Sequence, residues 1–152
     1  PKYTDFSSKE IETQINVTRS VLMDNAGAIH FRALSVAANK DGLKDHLRDK
    51  VYRGNAIIPA SGWLDTKAPA SPELNFSKQS NGDVLADWKS TGGEQAFRWV
   101  LYWKDSQGWK PTVLPPGMTQ ANLPANMNIQ KLAIAAVDRL GNVSEPTIKE
   151  VK

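Results

Sequence analysis

The chain has 152 residues, enough for one ordinary domain or two small ones, and its 40% hydrophobic and 23% charged residues exclude wholesale disorder. The formal charge is +3, but 19 basic residues are scattered among 16 acidic ones without a basic stripe, which argues against nucleic-acid binding. The absence of cysteine excludes disulfides and thiolate zinc sites, and no apolar stretch approaches the roughly 18 residues of a membrane span.

The first ten residues, PKYTDFSSKE, are polar, carry no signal-peptide pattern and start without Met, so the sequence reads as a piece of something longer. Ser7 and Glu10 then form a Ser-x-x-Glu capping box, which predicts a helix start. Ile11, Ile15 and Leu22, widened by Val17 and Val21, continue it at helical spacing until Asp24-Asn25. The segment AGAIHFRA, with its core at Ala28–Ala33, reads as a short buried strand. A second helix is expected from Asp41, with Leu43, Leu47 and Val51 on one face and Gly54-Asn55 as its stop. AIIPASGWLD (56–65) is apolar and extended. One strand between two helices cannot bury both of its faces, so this half lacks neighbours of its own.

Residues 66–72, TKAPASP, read as a linker. Beyond it the hydrophobic period switches to two. PELNFSKQ leads into Asn81-Gly82, a hairpin signal, followed by DVLADWK. AFRWVLYWK, a turn at 106–108, WKPTVL, the turn-rich PPGMTQANLPANMN, QKLAIAAVD, RLGN and VSEPTIKEV complete the chain. Six or seven short strands with frequent turns predict a small antiparallel β-sandwich, and the whole is an α+β chain in two parts.

The second half resembles a bacterial extracellular fibronectin type III domain, on Trp88, on RWVLYW and on LAIAAVDRLGNVSEP, over about residues 70–152. The tyrosine usual in strand F of such domains is absent here, with Leu132 and Ile134 in that region. The first half resembles the C-terminal end of the glycoside-hydrolase-like family 10 proteins, on AGAIHFRA, DGLKDHLRDKVY and NAIIPASGWLD, in that order before the linker. The resemblance implies that residues 1–65 are a helix-strand-helix remnant of a (β/α)8 barrel, 66–72 a linker and 73–152 a fibronectin type III-like sandwich. AGAIHFRA would be the last barrel strand, and the upstream barrel domain of the parent chain would be the principal partner. The parent is then expected to be an exported bacterial glycoside hydrolase acting on polysaccharide, such as cell-wall glycan, and periplasmic, secreted or held at the cell surface, for instance as a lipoprotein.

Glycoside hydrolysis needs two carboxyl groups flanking the scissile bond. The one barrel strand offers His30 and Arg32 at its C-terminal end, and Asp24 precedes it, so the catalytic pair is expected to be missing from this chain. His30 and Arg32 are two apart and lean to one face, which makes them candidates for substrate hydroxyls or carboxylates, or for pairing with an acid of a neighbouring strand. His46 reads as solvated surface, and two histidines without a partnered acid are not a metal motif, so neither metal nor cofactor is expected. The serines at 71, 80 and 90 have no histidine nearby for nucleophilic chemistry, and GNAI and STGGEQ do not sit as phosphate loops.

The aromatic strand leaves two readings open. Alternation alone buries Phe97, Trp99, Leu101 and Trp103, whereas the fibronectin resemblance turns Val100 and Tyr102 inward and leaves Trp99 and Trp103 on the outer face. Outward tryptophans, with Trp109 beside a turn, would contact another domain or stack sugar rings. Trp63 is expected to anchor the tail against the barrel helices. Without the barrel, Ile11, Ile15 and Leu22 need cover, so the isolated chain is expected to be a homo-oligomer or to pack its helices on Trp99 and Trp103. Three functions stand side by side: a non-catalytic structural or accessory piece of the hydrolase, a carbohydrate-binding module, and a protein-interaction module.

Overall fold

The structure is a computed structural model that describes residues 7–23, 26–30, 32–92 and 95–151. The chain divides into two compact units, Pro1–Gly54 and Asn55–Lys152. The boundary falls before the tail and linker, so residues 55–72 go with the second unit.

In the first unit, α1 (Ser8–Leu22) starts where the capping box predicts, with Ser7 Oγ accepting from the Glu10 backbone N–H at 3.2 Å. It ends at Met23, whose φ of 46° leaves the helical region. Only part of the expected stripe is used. Ile15, Leu43 and Leu47 form a small buried cluster against which Ile11, Val36 and Val51 pack, whereas Val17, Val21 and Leu22 are exposed. The strand expected over 28–33 is not formed. Residues 26–30 have no regular structure, Ile29 is 98% exposed, and Ala33–Ala37 is instead a short helix, α2. The reason is the one anticipated from the sequence: a strand needs partners for its backbone N–H and C=O groups, and the described residues of this unit contain no second strand. Phe31 and the Asp24-Asn25 break lie outside the described residues.

The second helical segment keeps its predicted core positions but not one regular form. Asn39, Asp41 and Gly42 take left-handed backbone conformations before α3 (Leu43–His46). Residues Leu47–Val51 then form a single π turn, closed by the Tyr52 N–H on the Leu47 carbonyl at 2.7 Å.

The second unit is a sandwich of two antiparallel sheets. The strands are β1 (Glu73–Lys78), β2 (Val84–Lys89), β3 (Arg98–Asp105), β4 (Gly108–Leu114), β5 (Gln120–Leu123), β6 (Lys131–Val137) and β7 (Thr147–Glu150). One sheet has the order β1-β2-β5 and the other β4-β3-β6-β7. This three-plus-four antiparallel arrangement is the sandwich that the fibronectin type III resemblance implies. Register explains the core. Leu74 lies opposite Trp88, and Val84 opposite Leu123; in the other sheet Trp99 faces Ala136, Leu101 faces Ile134, and Trp103 faces Leu132. These side chains fill the space between the sheets, with Trp99 only 3% exposed.

The structure therefore decides the face of β3 for the alternation reading and against the inward Val100 and Tyr102 that the resemblance implied. Val100 is nonetheless buried on the opposite face, together with Ala133, Ala135 and Val137. The near-continuous apolar run of β6 follows from being covered on both sides. Pro111 sits in β4, an edge strand, where the missing N–H interrupts no ladder.

Candidate functional site

In the first unit the two flagged residues are not brought together. His30 Nε2 lies 2.9 Å from the Tyr52 hydroxyl, and the two rings meet edge to face at 5.9 Å. The Arg19 guanidinium sits 5.5 Å from the centre of the Tyr52 ring and reaches the Val51 carbonyl at 3.4 Å. His30 is thus recruited by Tyr52, the residue that closes the π turn. Arg32 is exposed, in extended conformation before α2, where its backbone carbonyl accepts from the Ser35 N–H at 3.0 Å, and its side chain makes no hydrogen bond or ion pair among the described residues. The adjoining cavity, lined by Ile15, Thr18, Arg19, Gly27 and Tyr52 among others, measures about 70 Å³. That is room for roughly two waters and less than a hexose ring needs.

His46 is not solvated surface. Its Nε2 lies 2.8 Å from Glu12 Oε2, with both side chains half-buried, so it ties α3 to α1. Sequence spacing gave no sign of this pair, whose members are 34 positions apart.

In the sandwich the three flagged tryptophans have different fates. Trp99 is core, its indole N–H donating to the Pro116 carbonyl at 3.1 Å, and burial leaves it no ring face for a ligand. Trp103 is half-buried at the end of the same inner row and forms one wall of an open groove of about 320 Å³, with Asp105, Lys110, Asn126 and Asn128. Trp109 is 43% exposed and pairs with Lys104, on the other face of the sheet from the Trp103–Lys110 pair. Trp63, expected to anchor the tail, is 82% exposed.

The groove's chemistry is that of a hydrogen-bonding surface. The Lys110 ammonium and the Gln107 backbone N–H both donate to Asp105, and these bonds hold its carboxyl below the usual aspartate range. An ionised carboxylate accepts hydrogen bonds and cannot serve as the proton-donating acid of glycoside hydrolysis. Among the described residues, no group of three or more His, Asp or Glu side chains is placed to hold a metal ion. No described helix is long and apolar enough to cross a membrane.

Sequence reasoning passed over the most tightly built polar cluster. The turn after β6 carries the buried Asp138, Asn142 and Ser144. Asp138 Oδ1 accepts from the backbone N–H groups of Leu140 at 2.8 Å and Asn142 at 2.9 Å, and its Oδ2 accepts from the Asn142 side-chain amide at 2.8 Å. Burial alone pushes this carboxyl up, but hydrogen bonds from Asn142 and from the Leu140 and Gly141 backbone outweigh it and hold the group below its ordinary value. The signal in the sequence was Asp-x-x-Gly-Asn, read there only as a turn.

No family model matches the chain. It is similar to glycosyl hydrolase YngK of Bacillus subtilis (strain 168), 31% identical over 86 residues, which cover 56% of this chain and 16% of that protein. Among solved structures, a two-domain fibronectin type III segment of chicken tenascin overlaps 56% of this chain and 50% of its own, with a TM-score of 0.46 and 13% identity. A fibronectin type III domain of human collagen XX overlaps 63% of this chain and 100% of its own at 0.43 and 18%. The glycoside hydrolase domain of Endo-D from Streptococcus pneumoniae R6 overlaps 56% and 15% at 0.40 and 23%. The strand order, rather than these overlaps, identifies the sandwich.

Proposed function

We propose that the chain is a non-catalytic, accessory piece of an exported bacterial glycoside hydrolase that acts on polysaccharide, with the sandwich serving as a structural appendage. The observation that carries this reading is the 31% identity to a glycosyl hydrolase across more than half of the chain. The finer parts are proposals of the same kind: membership of the glycoside-hydrolase-like family 10, residues 1–65 as the end of a (β/α)8 barrel, and a periplasmic or surface location of the parent. The apolar residues that α1 leaves exposed, Val17, Val21 and Leu22, are what an absent barrel or a second copy of the chain would cover.

A second reading, carbohydrate binding by the sandwich, is favoured by the half-buried Trp103 on the groove wall beside an ionised Asp105 and two asparagines. One experiment separates the two. On the first reading, incubating the chain with cell-wall glycan or soluble oligosaccharides releases no reducing ends, and tryptophan emission stays unchanged in titrations. Release of reducing ends by the chain alone would overturn the non-catalytic reading. A saturable emission shift, abolished in Trp103→Ala and retained in Trp109→Ala, would establish groove binding instead.

A further inference from the structure

The extended tail that precedes the expected 66–72 linker is held to the sandwich, and what holds it is the buried polar turn that the proposed function leaves without a role. Ser61 donates its backbone N–H to the Leu140 carbonyl at 2.8 Å. The Asn142 side-chain amide, already bonded to Asp138, reaches the Asp65 carbonyl at 3.3 Å. Between these bonds, residues 61–65 close on themselves, with Leu64 N–H and Asp65 N–H both donating to the Ser61 carbonyl. Further along, Thr91 Oγ1 donates to the Ser71 carbonyl at 2.6 Å, the Thr147 hydroxyl donates to the Pro72 carbonyl, and Pro72 is itself buried.

The fit at the turn is steric as well as polar. Gly141 has φ +85°, and a Cβ placed there would lie 2.6 Å from the Ile58 carbonyl oxygen and 2.9 Å from that of Pro59. The tail backbone therefore runs directly over a glycine that no other residue could replace without displacing it. Gly108 offers the contrast: its φ is +112°, yet nothing lies within 4 Å of the equivalent Cβ.

We infer that the Asp138–Asn142 turn is a docking surface for the chain's own segment 57–65, which makes that segment a fixed strut of the sandwich rather than a flexible spacer. Asp138 acts as a positioning residue: it bonds the turn backbone and the Asn142 amide, and Asn142 and the Leu140 carbonyl hold the tail. Gly141 supplies the clearance. The inference stands on the second unit alone and does not depend on the proposed accessory role.

Amide hydrogen exchange on the full chain tests it. In the unaltered protein, the amides of Ser61, Leu64 and Asp65 are expected to be protected together with β6. Gly141→Ala should raise exchange in 57–65 by at least about tenfold while β1, β2 and β6 stay protected, because local release leaves the sheet core closed. Gly108→Ala, also at a positive φ but without a tail above it, should leave 57–65 protected. If Gly141→Ala exposes the sheets as well, Ser61→Pro decides: it deletes the N–H that Leu140 accepts, and it should free 57–65 with the sheets intact. Unprotected 57–65 amides in the unaltered protein would overturn the inference, as would 57–65 staying protected in both Gly141→Ala and Ser61→Pro.

Discussion

Replacing Trp99 by alanine is expected to destabilise the sandwich by about 3–5 kcal/mol, the range for removing a large buried aromatic side chain. Trp99 is 3% exposed, packs with Leu74, Trp88, Leu101, Ile134 and Ala136, and loses its bond to the Pro116 carbonyl in the substitution. A domain of this size holds only about 5–15 kcal/mol in total, so the variant should melt far earlier or fail to fold at room temperature. Trp109→Ala, at a more exposed edge position, should cost about 0.5 kcal/mol or less. Urea unfolding followed by circular dichroism reads both. Equal losses for the two variants would mean that Trp99 does not lie between the sheets, and with it would fall the assignment of the inner face of β3.

The second large effect belongs to Asp138. Asp138→Ala strands the backbone N–H groups of Leu140 and Asn142 and the Asn142 amide in a buried turn, for an expected cost of about 2–4 kcal/mol from unsatisfied donors. The pH dependence has a definite sign. Because the folded-state carboxyl is held below its unfolded value, the charged form stabilises the fold. That stabilisation is complete above the ordinary aspartate range and is lost as pH falls through the lower, folded-state value. Asp83 and Asp105, also held low by hydrogen bonds led by those from Asn122 and Lys110, add the same sign of dependence. The test is therefore a difference. Melting temperature plotted against pH should fall less steeply below the aspartate range in Asp138→Asn than in the unaltered protein. Parallel curves would show that Asp138 is not ionised in the folded turn.

The sequence made the sandwich legible because its strands alternate and its turns carry unambiguous chemistry. Asn81-Gly82 and the 106–108 turn fall where the structure has them, Gly82 and Gly108 both with positive φ. β5 was hidden, since four residues between Pro115-Pro116 and Pro124 leave too little alternation to detect. In the first half the core positions Ile15, Leu43 and Leu47 were readable from helical spacing. The strand at 28–33 was a correct reading of local composition and a wrong one of structure, because β pairing is not local and the described residues of the first unit contain no strand to pair with. The roles of His30 and His46 came from contacts 22 and 34 positions away, which no spacing rule reaches. At β3, alternation read the inner face correctly where resemblance misplaced it, because Trp99, Leu101 and Trp103 had to fill the space between two sheets.

The most direct test of the account is to sequence the source locus upstream of the Pro1 codon. The account predicts a continuous open reading frame of roughly 250–350 further residues in repeating strand-helix units, with acidic residues at strand ends and similarity to the rest of the Bacillus subtilis glycosyl hydrolase. A start codon immediately before Pro1 would contradict it. The chain would then be a protein in its own right, whose exposed α1 residues and groove tryptophan need partners of their own.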